Sequence, residues 1–354
     1  MRALIAATLA LLSCAPATSP PPPSPTVPPA ATVTAVAASA PASATPRPAK
    51  PAQPIAVEAP TSLGFEVAAD DGAFASVIQG PDGRIDFSVI DLANMQAHAI
   101  ASSAGRFVWL GPGGALRKDL ITYVEREERA TRLGGAQVVT WHVMVANWRT
   151  ASPPVEIDAI PGEVDPDPRA NNYLPSPVTN GRDVVWMHAP RTNGQLGDAD
   201  IRRWNSGATV TIHKGAAAFT IDDAGRVAID RRGELLLVDV GGATRRIAGR
   251  DKGGTPYLAG PKVVWARAPG ATPKVTAVDV VDLASGAISA VTYECAFIGA
   301  TVRQVLFGCR DDGSRLVGVD DLEAIDVDDF FYRADPHAII GRANDRWTVW
   351  PVPN

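Results

Sequence analysis

One short pattern returns along this chain and limits what it can fold into. Gly181-Arg182-Asp183-Val184-Val185-Trp186-Met187 is echoed by Gly260-Pro261-Lys262-Val263-Val264-Trp265-Ala266 and by Asn344-Asp345-Arg346-Trp347-Thr348-Val349-Trp350. Weaker echoes are Ala224-Gly225-Arg226-Val227-Ala228-Ile229 and Thr301-Val302-Arg303-Gln304-Val305-Leu306-Phe307. Aligned on Trp186, Ile229, Trp265, Phe307 and Trp350, the steps are 43, 36, 42 and 43 residues. Each echo is a turn followed by β-branched and aromatic residues, the mark of a short strand. Leu120-Ile121-Thr122-Tyr123-Val124 and Phe74-Ala75-Ser76-Val77-Ile78 take the same place upstream. The step from Tyr123 to Trp186 is 63 residues, and the stretch 161–173 is expected to hold the extra length.

A second echo follows the first. Val238-Asp239-Val240-Gly241-Gly242, Val281-Asp282-Leu283-Ala284-Ser285-Gly286 and Ile90-Asp91-Leu92-Ala93-Asn94 each end a strand in a tight turn. Aspartate suits such a turn because its carboxylate caps free backbone N–H groups, and glycine because it accepts φ > 0. No amphipathic helix of three turns is found from Thr61 onward. Four short strands at a period near 40–45 are the signature of a β-propeller blade, a unit that cannot bury both faces alone. The expected fold class is therefore all-β. Seven second-strand positions point to seven blades, with six and an irregular second unit as the alternative. The last unit, Ala338–Val352, supplies only two strands, so closure needs one from the N-terminal side, Ile55–Glu58 or Leu63–Ala68.

On these motifs the chain resembles the TolB-like and WD-repeat-like bacterial propellers from Leu63 to the C-terminus. In that family an inner strand ends at a P-D-G-type turn and a strand of the V-V-W kind follows. Phe107-Val108-Trp109-Leu110-Gly111-Pro112-Gly113-Gly114, then Leu120–Val124, keep that rhythm. The aspartate of the turn is replaced by Gly113, and the WD dipeptide is missing.

The first sixty residues are a different material. Met1-Arg2, an apolar run from Ala3 to Leu12 and Ser13-Cys14 have the build of a secretory signal, and the run is too short to span a bilayer. Leu11-Leu12-Ser13-Cys14 resembles the lipobox of bacterial lipoproteins. The resemblance implies cleavage before Cys14, lipidation of its thiol and, with Ala15 next, sorting to the outer membrane. Ala15–Pro60 holds 14 of the 31 prolines and 14 alanines. Proline fixes φ and removes donors, so the segment reads as an extended, disordered spacer. The expected organisation is a signal peptide at 1–13, a lipidated cysteine with a linker at 14–60, and the propeller at 61–354.

With Cys14 set aside, Cys295 and Cys309 remain. In an exported protein two thiols pair, and these fall on neighbouring expected strands, Glu294–Ile298 and Val305–Cys309. No metal site is expected, since neither H-x-H, H-E-x-x-H nor a C-x-x-C occurs. Asp165-Pro166-Asp167 with Asn171-Asn172 is oxygen-rich but lacks the glycine and closing glutamate of a calcium loop. His142 and His188 read as half-buried strand residues, which the ring could still gather at one end of the axis. Asp320, Asp321, Asp326, Asp328 and Asp329 read as a solvated edge.

There is no G-x-S-x-G elbow and no phosphate loop, so no catalytic residue and no cofactor is expected. A net charge of −5 argues against nucleic acid. Trp109, Trp141, Trp186, Trp265 and Trp350 are expected to pack between blades. Trp148 and Trp204 precede turns; core or rim packing is the first reading for both, and they are also the candidate contacts for a partner or sugar. The expected function is a membrane-anchored envelope protein whose propeller binds a protein or glycan partner at an end of its axis. The alternative is a propeller hydrolase or lyase acting on a polysaccharide or ester.

Overall fold

The computed structural model describes residues 53–58, 66–79, 84–104, 107–110, 113–129, 137–164, 175–192, 195–196, 199–215, 218–267, 276–309, 313–343 and 346–352. Among them there is no helix, and the strands form seven antiparallel blades. Blade 1 runs outward from the axis as Glu66–Asp70, Ala73–Gln79, Arg84–Asp91 and Gln96–Ala104. In blade 2 the inner position is split. Phe107–Trp109 and Leu116–Arg117 both pair with Leu120–Arg129, and Gln137–Asn147 and Val155–Val164 follow. Blade 3 is Val178–Thr179, Asp183–His188, Asp200–Asn205 and Ala208–Lys214, with a small hairpin, Arg191–Thr192 and Gln195–Leu196, between its second and third strands.

Blade 4 is Ala218–Ile221, Val227–Arg231, Glu234–Val238 and Thr244–Gly249. Blade 5 is Pro256–Ala259, Lys262–Ala266, Thr276–Asp282 and Ile288–Tyr293. Blade 6 is Ala296–Ala300, Gln304–Cys309, Gly313–Gly318 and Ala324–Val327. Blade 7 takes Phe331–Asp335, Ala338–Ala343 and Arg346–Pro351 from the end of the chain, and its outermost strand, Ile55–Val57, from near the start. Ile55 pairs with Val349 and Val57 with Trp347.

This arrangement explains the repeated run. Second strands are covered on both faces by neighbouring blades, so they carry unbroken apolar residues: Val184 to Met187, Val263 to Ala266 and Val305 to Phe307 are all buried. Outer strands face water, and Ala208–Val210, Thr244–Arg246 and Ile288–Ala290 are exposed. The core accordingly divides into seven clusters, one at each seam between blades. The cluster of Val57, Val67, Phe74, Ile340, Trp347 and Val349 closes the ring between blades 7 and 1.

Two seams share a polar device. The indole N–H of Trp186 donates to Asp158 of the preceding blade at 2.7 Å, and that of Trp265 to Asp230 of the preceding blade at 2.9 Å. Asp158 also accepts from His188 at 2.7 Å, while Asp230 accepts the backbone N–H groups of Gly233 and Gly254. A buried indole needs an acceptor, and a buried carboxylate needs several donors.

The ring settles the phase of the last blade and the choice of closing strand. Arg346–Pro351 is the third strand of blade 7, not a second strand, so Trp350 is out of phase with Trp186 and Trp265. The second strand there is Ala338–Ala343, whose buried Ile339 and Ile340 fill the corresponding place. Of the two segments expected to supply the closing strand, Ile55–Glu58 does so, as Ile55–Val57, which takes the end of the segment read as linker into the ring; Glu66–Asp70 starts blade 1. The extra length between Tyr123 and Trp186 lies partly in the long strands of blade 2, which run 10 and 11 residues, with the rest at 165–174 outside the described residues. The signal segment, Cys14, most of the spacer and the oxygen-rich stretch at 165–172 also fall outside them.

Cys295 and Cys309 are joined, at either end of the first hairpin of blade 6, with a sequence separation of 14. Closing a loop of this length removes about 3 kcal/mol of entropy from the unfolded chain. A Cys309→Ser variant, compared with the parent by urea unfolding, is expected to lose up to that amount with little change in slope.

Candidate axial site

All inner strands run the same way along the axis, so their C-terminal ends and the turns that follow meet at one end of the ring. There Asp70 and Asp71 come from blade 1, Arg117 from blade 2, Asp223 from blade 4 and His337 from blade 7. Arg117 is 5% exposed and Asp70 3%. The guanidinium donates through Nη1 to Asp70 at 2.8 Å and, through Nε and Nη2, to both oxygens of Asp223 at 2.9 Å. His337 Nε2 lies 3.1 Å from Asp223 Oδ2. Asp70 also accepts the backbone N–H of Lys118 at 2.6 Å. One arginine thus ties its own blade to blade 1 beside it and to blade 4, two places round the ring.

The pairing decides the charges. Burial alone would push the Asp223 carboxyl up, but the hydrogen bonds from His337 and Arg117 outweigh it and hold Asp223 well below the usual carboxylate range. Arg117 is held above its ordinary value despite burial, because Asp223 and Asp70 both favour its charged form. Asp223 is therefore a poor proton acceptor. His337 is almost wholly buried, and its Nδ1 has no hydrogen-bond partner among the described residues.

A second layer crosses the axis where the inner strand of blade 2 is interrupted. Gly114, at φ +113°, donates to Asp335 of blade 7 at 3.1 Å and accepts from the N–H of Thr179 of blade 3 at 2.8 Å. A Cβ on Gly113, at φ +68°, would sit 3.3 Å from the ring of Tyr257 of blade 5. Asp335 also accepts from Ala69 N at 2.8 Å and from Arg333 Nε at 2.9 Å. Nearby, Glu66 accepts the N–H of Leu110 at 3.0 Å. Burial pushes the Glu66 carboxyl up against the pull of Leu110 and Arg333, and it pushes Tyr257 up to about 12. The glycine pair that stands in place of a P-D-G turn is what lets backbone reach the axis.

The residues singled out from sequence are not gathered here. Trp148 is 2% exposed, donates to Lys118 O at 2.6 Å and lies under the Arg149 guanidinium, 4.1 Å from its ring centroid. It packs at the seam between blades 1 and 2, the first of the two readings from sequence, and is not an exposed partner contact. Trp204 is half-buried against the seam between blades 2 and 3. His142 pairs with Glu156 at 2.9 Å and His188 with Asp158, both away from the axial group. Asp70, Arg117, Asp223 and His337 share one sequence signal, a position at the end of an inner strand or in the turn after it. No group of histidine, cysteine and carboxylate side chains suited to a metal ion occurs among the described residues.

No family model matches the chain, and no curated protein matches it. Among solved structures it is similar to TolB from Acinetobacter baumannii, at 13% identity and TM-score 0.38, covering 80% of this chain and 65% of that one. It is similar to the acylaminoacyl peptidase of Pyrococcus horikoshii, at 12% identity and TM-score 0.47, covering 83% of this chain and 49% of that one. It is similar also to the β-propeller domain of the Trilobed protease from Pyrococcus furiosus, at 9% identity and TM-score 0.48, covering 81% and 95%. The chain spans about half to two-thirds of the length of the TolB and peptidase structures. The class defined by the strand order is a seven-bladed β-propeller with its ring closed by strands from both ends of the described chain.

Removing Arg117 leaves a buried carboxylate without its cation, a change that costs about 3–5 kcal/mol in other proteins. Arg117→Met is expected to destabilise the ring by about 3 kcal/mol in urea unfolding. Asp223 has a depressed folded pKa, so its stabilisation is present above the ordinary aspartate value and is lost as pH falls through the folded one. Asp223→Asn should therefore unfold more easily than the parent at pH 7. The gap should narrow steadily below about pH 4.

Proposed function

We propose that this protein is a membrane-anchored envelope lipoprotein whose propeller is a non-catalytic binding platform for a protein or glycan. The observation that carries the platform reading is the state of the axial groups. Arg117, Asp70, Asp223 and His337 are spent on one another, and Asp335 on two backbone N–H groups and Arg333. A general base must be reachable and near its working pKa, and Asp223 is held far below it. The anchor reading rests on Leu11-Leu12-Ser13-Cys14 and the proline-rich spacer. At about 3.1 Å per residue, the 40 residues between Cys14 and the blade strand that starts at Ile55 would let the ring stand up to ~120 Å from an outer membrane.

A second reading, a hydrolase or lyase of polysaccharide or ester, has one observation in its favour. Glu66 lies beside the axis with its carboxyl raised by burial, the condition of a general acid.

Cys14→Ser should move the protein from the detergent-extracted membrane fraction to the soluble envelope fraction. Unchanged fractionation would remove the anchor. The purified protein should show no turnover of fluorogenic esters or glycosides. Turnover that disappears in Glu66→Gln would replace the platform with the enzyme.

A further inference from the structure

The residues from the start of the second strand of blade 4 to the link with blade 5 run against the charge of the rest. Between Arg226 and Lys252 stand Arg226, Arg231, Arg232, Arg245, Arg246, Arg250 and Lys252 against Asp230, Glu234, Asp239 and Asp251, a net of +3. Residues 1–60 carry three basic side chains and one acidic, so the remaining 294 residues hold −7 of the total −5. The excess is not spread through the blade. Arg250 is consumed inside the seam, paired with Asp279 and stacked on Trp265 at 3.7 Å. Arg226 is paired with Asp222.

Of the five that are left, all but Arg245 gather at one outer corner with Lys214 of blade 3. Arg231 and Arg246 share a single carboxylate, Glu234, which also acts on His213 at the end of blade 3 together with Arg231. Lys214 follows His213 and is exposed. Arg232 stands at the tip of the hairpin with φ +54°, in a turn with Gly233 that ordinarily favours asparagine or glycine. The backbone of Lys252 lies 3.3 Å from where a Gly233 Cβ would be, which places Lys252 against the same tip. Lys214, Arg231, Arg232, Arg246 and Lys252 are all exposed, and facing them are Glu234 and the exposed Asp251. Five exposed long cationic side chains, set against Glu234 and Asp251 alone, have the chemistry of a face that meets many phosphates.

We propose that this corner of blades 3 and 4 docks on the anionic phospholipid headgroups of a bilayer. A bilayer is favoured over a compact anion because all five cations are exposed and come from separate segments: the end of blade 3, the hairpin tip and outer strand of blade 4, and the link to blade 5. Each lysine or arginine near a charged membrane surface contributes roughly fivefold in affinity, and the attraction fades within a Debye length. The proposal does not depend on the lipid anchor, and its test is made without it.

The full chain carrying Cys14→Ser is mixed with vesicles of phosphatidylglycerol and phosphatidylcholine in equal parts, or of phosphatidylcholine alone, and sedimented. Binding is expected only to the anionic vesicles, and it should vanish in about 1 M salt, where screening acts over about 3 Å. Adding Arg232→Gln, Arg246→Gln and Lys252→Gln should weaken it about a hundredfold. Arg182→Glu, on the opposite face of blade 3, should leave it within about twofold. If the triple variant does not fold by circular dichroism, Lys214→Gln with Lys252→Gln should still weaken binding at least about tenfold. Equal binding to both vesicle types, or a triple variant indistinguishable from Arg182→Glu, overturns the proposal. So does binding to soluble inorganic polyphosphate without binding to anionic vesicles.

Discussion

A ring of blades is held by its last seam. Each blade buries its faces only against its neighbours, so a ring with one open seam exposes two apolar faces at once. Here that seam is closed by a three-residue strand, Ile55–Val57, laid against Arg346–Pro351. Joining residues so far apart costs only about 2 kcal/mol more than closing one blade, because loop entropy grows with the logarithm of length. Complete burial of Val57 alone returns about 1.5–3 kcal/mol, and Phe74 and Trp347 pack in the same cluster. A strand of three residues is therefore enough, and the remaining six seams inherit its stability.

The axis poses the opposite difficulty. Inner strands have one unpaired edge, and in a seven-bladed ring those edges face a common space whose backbone donors need acceptors. The chain meets the need with carboxylates. Asp335 takes N–H groups from Ala69 and Gly114, Asp70 takes that of Lys118, and Glu66 takes that of Leu110. Buried carboxylates then need cations, and Arg117 and Arg333 supply them. The axial ion pairs follow from the unpaired edges. Their mutual neutralisation is why the arrangement reads as a lock between blades before it reads as a reaction centre.

Much of this was written in the sequence at short range. The run Val184 to Met187 and its echoes give the second strands directly, because burial on both faces leaves an unbroken apolar signature. The hairpin carrying Cys295 and Cys309 is similarly local. The phase of the last blade was not legible, since Trp347 to Trp350 and Ala338 to Ile340 are both apolar runs and only the ring decides which is inner. The axial group was illegible for a different reason. Asp70, Arg117, Asp223 and His337 come from four blades, and nothing in their spacing along the chain marks them as neighbours. Trp148 precedes a turn, so the sequence left both packing and exposure open; the carbonyl of Lys118 and the guanidinium of Arg149 hold it in the seam.

Charge in this protein therefore has two uses, separable by what each cation touches. Arg117, Arg250 and Arg333 are largely buried, each hydrogen-bonded to a carboxylate, and serve the ring. Asp70, Asp279 and Asp335 on these cations are among the most buried acidic groups, so substituting either member of those pairs disturbs folding before anything else. Arg232, Lys214 and Lys252 stand in water at the rim. Such side chains add little to stability, since exposed pairs contribute at most about 1 kcal/mol. A basic corner on an acidic domain costs the fold little and gains it little, and its placement is then explained by what lies outside the ring.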